Sequence, residues 1–275
     1  MRAAAVQLNF GSDKQRNLDL ATRFVRAAAD DGARLIVLPE KWNLLGAPEV
    51  LVAGAESVDG PSIEAARGWA RELGVHVVAG SIAERVEGEE RLFNTSFSID
   101  DEGEIVARYR KMHLFDVDVG GVAYRESDHE QPGDEIVTCE VDGIGLGLTV
   151  CYDLRFPELY RILAVQGAEV IAVPSAFTSA TGRDHWEVLL RARAIENQSF
   201  VVAPNQFGET PPNLSSYGRS MIVDPWGVVL VQAPDCEGFV SAELDLDRQR
   251  KIREFLPSLA NRRPGSYRWP QEATV

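Results

Sequence analysis

Three cysteines in 275 residues, Cys139, Cys151 and Cys236, give an odd count and no framework spacing. That excludes a disulfide-stapled fold and points to a reduced, cytoplasmic protein. The four histidines, His76, His113, His129 and His185, do not cluster, and no C-x-x-C or H-x-x-x-H occurs, so no metal site is expected. Long apolar runs are also missing. The longest uncharged stretch, Val170–Gly182, contains Pro174 and falls short of the ~20 apolar residues of a membrane helix. The N-terminal MRAAAVQLNFGSD lacks the long apolar region of a signal peptide. Positive charge is scarce: 28 Lys and Arg against 42 Asp and Glu leave a net charge of −14. A chain so acidic is a poor partner for nucleic acid, whose phosphates need clustered cations, and anionic membrane surfaces repel it. Phosphate-cradling loops are lacking too. No P-loop is present, and Gly143, Gly145 and Gly147 fail G-x-G-x-x-G, because position 148 is Leu and the glycines lie within a strand.

What is present is an ordinary globular composition, 45% apolar and 25% charged, with alternating strand and helix signals and no linker. Ala3–Leu8 reads as a strand. Ser12 with Gln15 reads as a capping box for a helix whose apolar face is Leu18, Ala21, Val25 and Ala28, stopped by Gly32. Leu35–Leu38 is a short apolar run, the mark of a strand covered on both faces, and ends in Pro39-Glu40. A helix over Ser62–Leu73, strands over Val75–Ile82 and Leu92–Ile99, and a hairpin into Ile105–Tyr109 follow. The second half repeats this order. It has a strand over Gly145–Val150, and a helix capped by Asp153 with Leu159, Ile162 and Leu163 inward. A strand over Val170–Val173 then ends in Pro174-Ser175. Asp184 with Glu187 opens a helix through Glu196, Phe200–Ala203 is a strand, and a hairpin turns at Asp224–Gly227. Two similar halves predict an α/β protein with an internal pseudo-twofold, two sheets face to face and helices outside.

Three residues stand at strand ends, where open α/β sheets place their sites. Cys151 sits between an apolar strand and a helix start in TVCYDLRFPELYR, a nucleophile elbow with sulfur in place of oxygen, where a helix N-terminus lowers a thiol pKa. A buried structural cysteine is the alternative. Glu40 ends a strand in LIVLPEKWN and Lys111 ends another in ARYRKMHLF; on spacing alone each reads more readily as a surface charge. No spacing rule joins residues so far apart.

These segments carry a resemblance. PEKW around Glu40, YRKMHLFD around Lys111 and CYDLRFPELYR around Cys151 resemble the three signature segments of the nitrilase (carbon–nitrogen hydrolase) superfamily. PSAFTSATGRDHWEVLLRARAIENQ and SYGRSMIVDPWG resemble its Nit-type amidase branch, over roughly Ala3 to Pro264. The resemblance implies a four-layer αββα sandwich, one carbon–nitrogen hydrolase domain over residues 1–275, a Glu40–Lys111–Cys151 triad, no cofactor and a homodimer. By its place in GGVAYRES, Glu126 matches a second glutamate found near the thiol in several members. TGRDHWE departs from the branch pattern, in which the two residues after TG are often small or Pro, so that Arg183-Asp184 alters the pocket rim or is solvated decoration.

On this reading Cys151 attacks an amide carbonyl, Glu40 moves the protons, a thioester forms and water releases the acid. Lys111 and the Tyr152 backbone N–H hold the oxyanion, and Glu126 positions Lys111 or the substrate. Phe115 and Trp42 line the pocket or pack in the core. Arg155 pairs with Glu158, or Arg155 or Arg183 binds a substrate carboxylate. The expected substrate is a small linear ω-amide, with deaminated glutathione first. Alternatives are α-keto ω-amides such as α-ketoglutaramate, or nitrilase and N-carbamoyl hydrolase chemistry with the same triad. A papain-like Cys–His hydrolase needs His113 or His185 beside Cys151, and a non-enzymatic module needs none of these residues.

Overall fold

The first strand, β1 (Arg2–Gln7), sends alternate side chains to two different cores: Ala3 and Ala5 to one, Ala4 and Val6 to the other. That is the period of two in a strand covered on both faces. The computed structural model, which describes residues 1–119, 121–210 and 214–268, extends this division through two sheets. After β1 come α1 (Lys14–Asp30), β2 (Leu35–Val37), α2 (Pro48–Gly54), α3 (Pro61–Leu73), β3 (His76–Val78), β4 (Ile82–Glu84), β5 (Phe93–Ile99), β6 (Ile105–Arg110) and the hairpin β7 (Asp116–Val119) with β8 (Val122–Arg125). The chain continues with β9 (Thr138–Val141), β10 (Ile144–Leu148), α4 (Pro157–Val165), β11 (Val170–Ala172), α5 (Ser179–Asn197), β12 (Phe200–Ala203), β13 (Phe207–Thr210), β14 (Leu214–Tyr217), β15 (Met221–Val223), β16 (Val229–Gln232), β17 (Gly238–Glu243) and α6 (Leu246–Phe255).

One sheet has seven strands in the order β17-β1-β2-β3-β5-β6, with β4 beside β5 on the same edge as β3, and the other has six in the order β9-β10-β11-β12-β15-β16. In each, three parallel strands are flanked by one antiparallel strand on one side and two on the other. The predicted pseudo-twofold is therefore present in the pairing itself. Leu35, Val37 and Val78 of the first sheet share an inner core with Leu146, Leu148 and Val201 of the second. Ala21, Val25, Ile63, Ala66 and Trp69 of α1 and α3 cover the outer face of the first sheet. Leu159, Leu163, Trp186 and Leu190 of α4 and α5 cover the second. The layers run α, β, β, α, as expected.

Several local expectations are corrected. Asp13, not Ser12, caps α1: its carboxylate accepts the Arg16 N–H at 3.1 Å, while Gln15 turns to Asp19. Val75–Ile82 is not one strand. It breaks at Gly80 (φ 46°), and β3 and β4 lie end to end along the same edge of β5. Asp153 caps no α-helix. A short 3-10 turn runs over Cys151–Arg155, and α4 starts at Pro157, whose missing N–H suits a first position. Ile162 faces outward on α4. The helix assigned to Asp184–Glu196 begins five residues earlier, at Ser179 after Thr178, so Asp184 and Glu187 lie on its exposed side.

Candidate active site

Cys151, three residues past the end of β10, has φ 48°, the left-handed region that a side chain occupies only under constraint. The constraint is visible. The Cys151 N–H donates to Pro174 O at 2.9 Å, and Asp153 Oδ2 accepts the Val150 N–H at 2.8 Å and the Tyr109 hydroxyl at 2.7 Å. The other Asp153 oxygen lies 2.7 Å from His113 Nδ1. Asp153 is thus the clamp of the elbow, and a strained turn held this firmly aims the sulfur in one direction.

Glu40 stands three residues past the end of β2, where its Oε2 accepts the Ala176 N–H at 2.9 Å and its Oε1 accepts the Asn94 amide at 2.8 Å. Lys111, just past β6, reaches Glu40 Oε1 at 3.0 Å and both oxygens of Glu126 at 2.8 and 3.0 Å. Glu126, in the turn after β8, also accepts the Phe115 N–H at 2.7 Å. Behind it, Lys41 lies 3.3 Å from Glu126 Oε1 and 2.6 Å from Glu130 Oε1. All of these ionisable groups are buried.

Such crowding fixes the protonation states. Burial works against the Lys111 charge, but Glu126 and Glu40 outweigh it and hold its pKa well above the ordinary lysine value. Burial also opposes the Glu126 charge, and Lys111 with Lys41 overcomes it, so that carboxylate stays ionised well below the usual range. Burial pushes the Cys151 thiol well above its ordinary value, Glu40 pushes it further, and Lys111 offsets only part. The thiol-lowering helix N-terminus expected at this turn is absent, because α4 begins six residues further on. At rest the sulfur carries its proton beside a carboxylate, an arrangement suited to base-assisted attack.

The cavity in front of the sulfur holds about 210 Å³. Glu40, Lys41, Lys111, Glu126 and Cys151 form its floor, and Phe115, Tyr124, Tyr152 and Phe177 form an aromatic wall. Phe115 and Tyr152 meet edge to face at 5.0 Å. Arg125, Thr178, Thr181 and Ser216 are among the other residues that line it, with Leu45, Pro48 and Leu51 adding an apolar side.

The carbon-nitrogen hydrolase family profile matches residues 2–254. The chain belongs to that family. It is 40% identical to the deaminated glutathione amidase of Synechocystis, over 94% of this chain and 97% of that protein. It is 36% identical to human omega-amidase NIT2, over 97% and 96%. Among solved structures, the Caenorhabditis elegans NitFhit protein superposes with TM-score 0.90 at 35% identity, covering 97% of this chain and 66% of that longer one. Saccharomyces cerevisiae Nit3, a member of branch 10 of the nitrilase superfamily, superposes at 0.87 with 30% identity, over 97% of each chain. The family and its amidase relatives make this protein a hydrolase of carbon–nitrogen bonds in amides.

Of the residues singled out in the sequence, Glu40, Lys111, Cys151, Glu126, Phe115 and Tyr152 meet at this cavity. Trp42 does not. It is fully buried under the first sheet, its indole donating to Ala79 O at 2.8 Å and packing on Trp69, because the left-handed turn at Lys41 sends the next side chain into the core. Arg155 lies outside the lining, over the Phe177 ring at 5.1 Å and 3.2 Å from His185 Nδ1, and among the described residues it makes no ion pair with Glu158. Arg183 is exposed on α5, also outside the lining. His113 lies against Asp153 and stacks on Phe156, and His185 contacts Arg155; neither lines the cavity in front of Cys151, where the base of a Cys–His pair would have to stand. The sequence reading missed Lys41, Asn94, Arg125 and Glu130. Only Lys41 carried a local signal, a second charge directly after Glu40 at the end of an apolar strand.

Proposed function

We propose that the protein is a cofactor-independent amidase for small linear ω-amides, with deaminated glutathione first among its substrates, acting through a thioester on Cys151. The observation that carries this is the convergence of a protonated thiol, a carboxylate and a carboxylate-held ammonium on one cavity. Glu40 takes the thiol proton as the sulfur attacks the amide carbonyl. The oxyanion turns to Lys111 Nζ and the Tyr152 N–H. Collapse breaks the carbon–nitrogen bond, and Glu40 returns its proton to the departing amine. Glu40 then takes a proton from water as hydroxide attacks the thioester, and collapse frees the acid while Glu40 returns that proton to the departing sulfur, restoring the thiol. Amide and water balance both halves, so the chemistry asks for no further co-reactant.

A desolvated substrate carboxylate needs a cation. Arg125, on the cavity wall, fits this better than Arg155 or Arg183. Its partner Asp118 is exposed, and an exposed ion pair is readily exchanged. We read the chain as one hydrolase domain that works in the cytoplasm, where its free cysteines stay reduced, and as a homodimer.

Amine release from deaminated glutathione, α-ketoglutaramate, neutral amides and nitriles tests the substrate class, with mass spectrometry of the enzyme under turnover. An acyl adduct on Cys151 alone is expected, and Cys151→Ala is inactive but folded. Arg125→Ala raises KM for the anionic amides and leaves that for neutral ones. A preference for nitriles or neutral amides, or an adduct on Cys139 or Cys236, would sink the proposal.

A further inference from the structure

Behind the Glu126 carboxylate stands a second buried ammonium. Lys41 follows Glu40 directly, with its backbone in the left-handed region at φ 49°, a conformation that is strained for a lysine. Its N–H donates to Ser81 Oγ at 3.1 Å, and the Gln206 amide donates to the carbonyls of Glu40 and Lys41 at 2.6 and 3.4 Å. Pinned this way, the side chain ends at the cavity floor rather than in solvent. Its ammonium meets Glu130 at 2.6 Å and Glu126 at 3.3 Å. Glu130 has no exposed surface, and its second oxygen has no hydrogen-bond partner among the described residues.

Stability is a poor explanation for this arrangement. Desolvation cancels much of the attraction in a buried ion pair, and apolar side chains of similar volume do as well or better. The left-handed backbone adds strain.

We propose that Lys41, braced by Glu130, is a positioning residue for amide hydrolysis: it holds Glu126 charged and in place against Lys111, so that the Lys111 ammonium stays aimed at the reacting carbonyl. This rests on the reading of Lys111 as oxyanion donor. Glu126 Oε1 accepts from Lys111, Lys41 and Asn94, and Oε2 from Lys111 and the Phe115 N–H. Without Lys41, Glu126 has one cation instead of two and takes up a proton more readily. Lys111 then has Glu40 as its only anionic partner and turns toward the base. The charges matter as well. Glu40, Lys111, Glu126 and Lys41 sum to zero. Removing Lys41 leaves a buried net negative cluster facing a carbonyl oxygen that must itself become negative. Glu130 is faced by Lys41, Glu126, Lys111 and His129, whose Nε2 lies 3.7 Å from it, and burial pushes its pKa up to about 8. Near neutrality it therefore braces Lys41 without adding a full negative charge to the cluster.

Steady-state kinetics on deaminated glutathione in Lys41→Met, Lys41→Arg and the double variant Lys41→Met/Glu130→Leu tests the proposal. The double variant removes Lys41 together with the carboxyl group that braces it, so no buried Glu130 side chain is left without its partner and the fold stays within reach. Expected is a fall in kcat of roughly 10- to 100-fold in Lys41→Met and in the double variant, with KM little changed. The acid limb of the kcat–pH profile moves to higher pH, and Lys41→Arg recovers part of the loss. A folded double variant with wild-type kcat and an unmoved pH profile would show that the pair is only structural and overturn the inference. Cys151→Ala, run alongside, separates the two readings. If it is dead while the double variant keeps full kcat, only the role of Lys41 fails. If it stays active, the triad fails and this inference with it.

Discussion

Glu130 holds its proton at pH values where a solvated glutamate has lost it. Burial drives its pKa from the ordinary 4.5 up to about 8, Glu126 adds to the rise, and Lys41 offsets only part. Between those two values the native state keeps a proton that the unfolded chain has released. The unfolded state binds fewer protons there, so this group makes stability fall as pH rises through the window and level off above about 8. The slope is at most about 1.4 kcal/mol per pH unit, or roughly 2–4 °C of Tm in a chain of this size. Glu130→Gln keeps an oxygen for Lys41 and removes the titration. Thermal melts should show the Tm of Glu130→Gln gaining on wild type from about pH 5 to about pH 8 and running parallel beyond. A constant gap would mean that Glu130 is ionised throughout. The opposite sign applies to Glu126, held well below the usual range by Lys111 and Lys41. Its contribution is intact above the ordinary carboxylate pKa and is lost only in acid.

Between residues and fold, the turns decide whether the side chains meet. Gly80 separates β3 from β4 at φ 46°, and a Cβ there would collide with the carbonyl oxygen of Pro39, the residue before Glu40. Gly80→Ala must therefore displace the Glu40 loop or strain its own backbone. The expected result is lost activity and a Tm lower by several degrees, in keeping with the ~1–3 kcal/mol of a strained backbone site; an active variant with wild-type Tm would show that the loop yields freely. The same element scale separates what could be read in the sequence from what could not. Leu35–Leu38 and Val170–Val173 were legible as buried strands because a short apolar run is a local signal. The start of α5 was not. Ser179–Gly182 reads as a loop, but Gly182 lies so close to Tyr217 of β14 that helix and hairpin pack as one unit, a long-range contact. Trp42 stayed open between pocket and core for a related reason: nearness to Glu40 in sequence does not tell which way a left-handed turn at Lys41 sends the next side chain. Arg125 reaches the cavity only because β7 and β8 pair and fold back, which no residue spacing announces.

At the scale of the whole molecule, the outer helical layer over the second sheet is unusually apolar. Ile162 and Val165 of α4 and Val188 and Ile195 of α5 are exposed. Trp226, in the turn before β16, packs on Phe255 at the end of α6 with ring centroids 5.9 Å apart, and about half or more of each side chain remains open to solvent. A Cβ on Gly227 would strike Ile195, so α5 and this turn form one surface. Apolar surface grouped this way marks an association site more often than a solvated face, and it supports the homodimer proposed above. The net charge opposes it. Each chain carries −14, so two copies repel at long range, and the repulsion weakens as salt shortens the screening length. An interface driven by apolar burial against this background should tighten with salt, whereas one built on ion pairs should loosen. Light scattering at micromolar protein should give twice the 30.3 kDa chain mass, with dissociation on dilution shifted to lower concentration as salt is raised. Ile195→Glu with Phe255→Glu places charge on that surface without touching the cavity, and should yield monomers. A mass of one chain at every salt concentration would end the dimer proposal, and a dimer that survives both substitutions would place its interface elsewhere.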